Sequence, residues 1–198
     1  MPPRLRLARN AALTGIGLLL VACSTTTATA PAAVGQAPTE PLDLTRFMGR
    51  WHVIAHVPYF AERGHVESSD TYTLRPDGRI TVHYAYRSGF DQPARTLDSV
   101  ATVKPGSGQR DWTTWFFRVI PTRYRVLEVA PDYSWALIGY PGRQLAWVFA
   151  REPRMGDVLY ADLRGRLGRH GIDGAALRRI PQRPGDVGQP GYAAPKSP

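Results

Sequence analysis

Between residues 51 and 150 the chain is a succession of short alternating runs rich in Val, Ile, Thr, Tyr, Phe and Trp, each closed by a turn signal. The runs fall at 51–57, 71–74, 79–86, 96–103, 113–120, 124–129, 135–140 and 145–150. Pro58, Pro121 and Pro131-Asp132 close three of them. Pro76-Asp77-Gly78 and Pro141-Gly142-Arg143-Gln144 join others as hairpin turns, Pro fixing φ and Gly accepting positive φ. Eight strands spaced near a dozen residues predict a closed barrel or a sandwich. The period then changes. Val158, Leu159, Leu163 and Leu167 recur at helical spacing across 155–169, with Gly171 as the stop. Residues 176–180 can add a short edge strand. The expected fold is all-β: an eight-stranded antiparallel up-and-down β-barrel with one C-terminal α-helix packed outside.

The N-terminus places this body. Arg4, Arg6 and Arg9 precede an apolar run at 11–22, the layout of a secretory signal peptide. A run of about a dozen residues is too short to span a bilayer, which needs about 20. It ends at Leu20-Val21-Ala22-Cys23, which contains the only cysteine of the chain. That ending resembles the bacterial lipobox, which implies cleavage before Cys23 and acylation of its thiol and new amine. Ser24, where an inner-membrane retention signal carries Asp, points to the outer membrane, with the domain facing the periplasm. The expected organisation is a signal at 1–22, a lipidated flexible tether at 23–41, a folded domain at 42–180 and a disordered tail at 181–198. The tether is Thr, Ala, Pro, Gly and Ser almost throughout, and the tail holds five prolines and three glycines. Net charge is +9, with 25 basic and 16 acidic side chains. An export signal excludes nucleic acid as the natural partner, and the arginines form a basic surface that also suits anionic headgroups.

Three blocks of the body resemble the lipocalin family, and within it the bacterial outer-membrane lipoprotein lipocalins. The first is 43–51, with Gly-x-Trp at Gly49 and Trp51. The second is 131–138, with Asp132-Tyr133. The third is 147–153, ending the last strand at Arg151. Phe60, Glu62, Arg63 and Gly64 in the first loop add to the likeness. The resemblance implies that Trp51 closes the barrel floor and that Arg151 lies across it. It further implies a small hydrophobic ligand, a fatty acid or lysophospholipid, stored, scavenged or transported in the cell envelope.

Alternation along the first strand puts Trp51, Val53, Ala55 and Val57 inward, and His52, Ile54 and His56 outward. Tyr72, Tyr84, Tyr86, Trp115 and Phe117 are the further candidate walls. Arg87, Arg118, Arg123 and Arg125 are available to an anionic headgroup, or are surface residues. His65, Glu62, Glu67, Asp70 and Asp77 read as solvated. His52 and His56 stand about 13 Å apart on an extended strand, too far for one metal ion. No phosphate loop, paired-carboxylate motif or nucleophile elbow points to an enzyme or a cofactor. A second reading keeps the barrel filled by its own side chains, with the outer face binding another envelope protein. A homodimer is compatible with either.

Overall fold

The computed structural model describes residues 40–116 and 120–196, the side chains of 116 and 120 excepted. The signal, Cys23 and Phe117 lie outside the described residues. A short helix α1 (Leu44–Phe47) leads into β1 (Gly49–His56). Seven more strands follow: β2 (Val66–Leu74), β3 (Ile80–Arg87), β4 (Arg95–Val103), β5 (Asp111–Phe116), β6 (Ile120–Val129), β7 (Trp135–Gly139) and β8 (Ala146–Ala150). Each pairs antiparallel with the next, and β1 pairs with both β2 and β8, which closes the barrel. Helix α2 (Asp157–Leu167) packs on the outer wall, and β9 (Arg178–Arg179) adds to β1.

The expected strands are present, with shifted ends. Pro121 does not close a strand but sits second in β6, opposite Trp115, near enough to the strand start for its missing N–H to be tolerated. The larger difference lies in β1, where the pairing with β8 slips between Val53 and Ala55. A bulge inserts one residue and reverses the facing of everything beyond it. Trp51 and Val53 therefore face the lumen. Ala55 and Val57, expected inward, join the outer cluster beneath the helix. His56, expected outward, is buried opposite Trp147.

The core accordingly has two parts. Inside the barrel, Phe47, Trp51, Val53, Tyr72, Ile80, Trp112 and Phe149 pack together. Outside, Ile54, Ala55, Leu137 and Val148 meet Tyr160, Leu163 and Leu167 of α2. The buried face of α2 is thus Tyr160, Leu163 and Leu167, while Val158 is 88 % exposed. Tyr160 displaces the expected Val158 and Leu159 because its ring also lies under the Arg179 guanidinium, 4.2 Å away. The helix runs on as a 3₁₀ turn to His170 and stops at Gly171, whose φ of 69° is left-handed.

The expected disordered tail is a correction. Residues 181–196 pack back on the barrel. Beyond His52 the pairing of β1 with β2 ends, so the backbone groups of both strands need new partners. The chain after β9 supplies them. Ile180 N donates to the Ile54 carbonyl (2.8 Å), and Pro181 O accepts from Glu67 N (2.8 Å). Gln182 Nε2 donates to the carbonyls of Val53 (2.8 Å) and Ser68 (3.3 Å).

Leu163→Ala should destabilise the protein by about 2–5 kcal/mol, because it opens a cavity under α2. Val158→Ala should stay within about 0.5 kcal/mol of the parent. Urea unfolding of the two variants checks the facing of the helix directly.

Candidate functional site

The floor of the barrel is built from three distant segments. Gly49 has φ +92°, a conformation that disfavours any side chain, and a Cβ there would stand 3.4 Å from the Arg151 guanidinium. Trp51, fully buried, donates Nε1–H to the Phe47 carbonyl at 2.8 Å. The Arg151 guanidinium stacks 3.8 Å over the indole. It donates to the carbonyls of Arg50 (2.8 Å) and Arg46 (2.7 Å), so backbone dipoles rather than a carboxylate hold it. Burial lowers the Arg151 pKa, yet a guanidinium remains charged. Asp132 accepts from Ser134 N (3.0 Å) and Oγ (2.7 Å). That turn puts Tyr133 at φ 62°, where its hydroxyl accepts from Asp43 N at 2.9 Å. Gly49, Trp51, Asp132, Tyr133 and Arg151 thus form one closed end.

Above the floor the lumen is polar as well as aromatic. Register places Asp70 and Tyr72 on β2 opposite Tyr84 and Val82 on β3, and Trp112 on β5 opposite Tyr124 on β6. Asp70, Tyr84 and Tyr124 point inward and are half-buried. The Tyr72 hydroxyl lies 3.1 Å from that of Tyr124 and 3.3 Å from Asp70 Oδ2. Burial raises the pKa of all three tyrosines, so their hydroxyls stay protonated.

A second carboxyl enters from the loop between β1 and β2. Glu62 accepts from Tyr59 OH (2.6 Å) and Trp147 Nε1 (3.0 Å), and lies 3.0 Å from His56 Nδ1. Burial works to raise its pKa. The His56 hydrogen bond and charge, then the bonds from Tyr59 and Trp147, outweigh it and hold Glu62 below the usual range. His65 is buried, stacked on Tyr86 at 3.7 Å, with Nδ1 2.9 Å from the Tyr84 hydroxyl.

This arrangement can be set beside known proteins. Residues 42–182 match the family model described as a lipocalin-like domain. The chain belongs to the lipocalin family. It is 32 % identical over 150 residues to temperature-induced lipocalin-1 of Arabidopsis thaliana, covering 71 % of this chain and 80 % of that one. It is 27 % identical over 169 residues to the outer membrane lipoprotein Blc of Escherichia coli strain K12, covering 78 % and 85 %. Among solved structures it resembles insecticyanin of the tobacco hornworm Manduca sexta, with TM-score 0.56, 17 % identity, and 81 % and 90 % of the chains covered. That last likeness shows the fold.

Of the candidate walls, Val53, Tyr72, Tyr84 and Tyr86 face the lumen. Trp115 does not belong to it: the pairing Val103 with Trp112 and Ala101 with Thr114 turns Trp115 outward, 39 % exposed. The arginines considered for a headgroup also face away. Arg87 bonds Glu67 (2.7 Å), Arg125 bonds Asp111 (2.6 Å), and Arg123 is exposed; Arg118 lies outside the described residues. His56, Glu62, His65 and Asp70, read from the sequence as surface groups, are polar residues of the interior. Alternation around Tyr72 would have turned Asp70 inward. The loop geometry that delivers Glu62 has no periodic signal.

Burial, then the nearby Glu62 charge, lifts the Asp70 pKa to about 8, against the opposing bond from Tyr72. An unfolded aspartate ionises near about 4. Between these values the unfolded chain has shed a proton that the folded one keeps, so stability falls as pH rises, by up to about 1.4 kcal/mol per unit. Burial depresses His65 to about 4; its contribution is present above about 6.5 and is lost as pH falls toward 4. Comparing pH 6.5 with 8.5 isolates the carboxyl. Urea unfolding should show the parent weakening between them and Asp70→Asn not weakening. An equal loss in both proteins would remove Asp70 as the cause.

Proposed function

We propose that this protein binds a long-chain amphiphile, a fatty acid or lysophospholipid, with the acyl chain in the lumen, and stores, scavenges or carries it in the cell envelope. The observation that carries this reading is the interior above the floor, where Asp70, Tyr84 and Tyr124 face inward and are only half-buried. An eight-stranded barrel is wide enough for one such ligand. The floor closed by Trp51 and Arg151 leaves the opposite end of the barrel as the entrance, so the acyl chain enters first and points toward Trp51. Asp70, opposite Trp51, is held toward its neutral form by burial, and Glu62, from the loop at the other end, carries the negative charge.

The lipobox-like ending at Cys23 supports an anchor through a lipidated cysteine, in the outer membrane and on its periplasmic side; one relative bears the name outer membrane lipoprotein. A tether of small residues from there to the domain suits partition of lipid from that membrane without chemistry.

Titration with saturated fatty acids of increasing length, followed by the fluorescence of Trp147, tests the reading. Affinity should rise about three- to fourfold per methylene until the lumen is filled, from about 0.8 kcal/mol per buried CH₂. The companion variant Cys23→Ser should leave this series unchanged and move the protein out of the membrane fraction. No saturable binding at any length would refute the carrier reading and favour a filled barrel that binds another envelope protein.

A further inference from the structure

A cleft of about 920 Å³ opens on the outer wall between α2 and the returning C-terminal chain. Ile54, Leu177 and Ile180 form its apolar base, and Tyr160 and Tyr192 are among its walls. Five arginines line it: Arg154, Arg164, Arg178, Arg179 and Arg183, against two acids, Asp157 and Asp186.

The acids are already engaged. Asp186 accepts from Arg183 Nε at 2.9 Å and from Gln182 N at 3.1 Å. Asp157 lies 2.9 Å from Arg179 Nη2. Arg179 is further fixed over the Tyr160 ring at 4.2 Å and by the Tyr192 hydroxyl at 3.3 Å. Three cations are left. Among the described residues Arg154, Arg164 and Arg178 have no carboxylate within ion-pair distance. Two of the three are nevertheless held in place. Arg164 Nε donates to the Gly174 carbonyl at 3.3 Å, and Arg178 Nη1 to the carbonyls of Ala175 (2.9 Å) and Leu177 (2.8 Å). Carbonyl partners orient a guanidinium without neutralising it, and its remaining N–H groups stay free to donate.

Unneutralised, preorganised guanidinium groups in a concave site focus a positive field and match the several oxygens of a phosphate. The volume is within the range of small-molecule sites. One wall is built by residues 183–192, beyond the residues 42–182 that match the family domain. Ile54, Leu177 and Tyr160 belong to the cluster outside the barrel, so the cleft is separate from the lumen. We propose that it is a second binding site, taking a phosphate-bearing anion such as the headgroup of an anionic lipid.

The test is calorimetric titration of the full chain at low salt with glycerophosphoglycerol, an anionic headgroup without acyl chains, and with inorganic phosphate. Saturable binding of either probe is expected, and Arg164→Gln/Arg178→Gln should weaken it about ten-fold or more, as loss of charge-assisted hydrogen bonds does. Arg154→Gln, which removes a charge on an exposed side chain, should weaken it in the same direction. Fatty-acid binding in the lumen should be unaltered in both variants, which separates this site from the first. Tighter binding of glycerophosphoglycerol assigns the site to a headgroup; equal or tighter binding of inorganic phosphate assigns it to free phosphate. No saturable binding of either probe, or binding that both variants leave unchanged, overturns the proposal.

Discussion

One irregularity in β1 organises this molecule. Up to Val53 the strand serves the lumen on one face, and beyond the bulge the parity reverses. Ala55 and Val57 turn out to receive the helix, and His56 turns in to meet Glu62. At nearly the same point β1 parts from β2. The backbone groups left there are satisfied by Ile180, Pro181 and Gln182. The polar lumen, the seat of the helix and the ordered C-terminal chain thus meet at one local departure from regular pairing. A β-bulge in such a place is a designed feature of the fold rather than a defect.

The two ends of the interior treat charge in opposite ways. At the floor a half-buried cation, Arg151, is held by carbonyl dipoles and an indole face, with no carboxylate bonded to it among the described residues. That arrangement seals the barrel and ties together the α1, β1 and post-β8 segments. In the lumen the groups are acids, one stabilised as an anion by three donors and one raised toward neutrality. Such an interior accepts an apolar chain and hydrogen-bond donors. Arg87, Arg123 and Arg125 lie on the outer surface.

The fold was legible because its signals are periodic. Alternation and proline–glycine turns mark the eight strands, and Gly49, Trp51, Tyr133 and Arg151 mark the closed end. The interior was less legible for definite reasons. A single bulge inverted Ala55, His56 and Val57, and no residue type announces it. Trp115 could be placed only through the register of β4 and β5, which the turn at 104–110 sets. Glu62 and His65 belong to a loop whose path is set by tertiary contacts. The C-terminal segment was misread because its composition is that of disorder, whereas its order comes from unpaired backbone on β1 and β2. In α2, Tyr160 took the inward position from Val158 because it satisfies the core and a cation together.

The central claim is that the barrel carries a lipid. Purifying the protein from its native host and analysing its organic extract by mass spectrometry tests this most directly. The account predicts one fatty acid or lysophospholipid in stoichiometric amount. A protein that yields no lipid, and that takes up none when offered a mixed lipid extract, would contradict it.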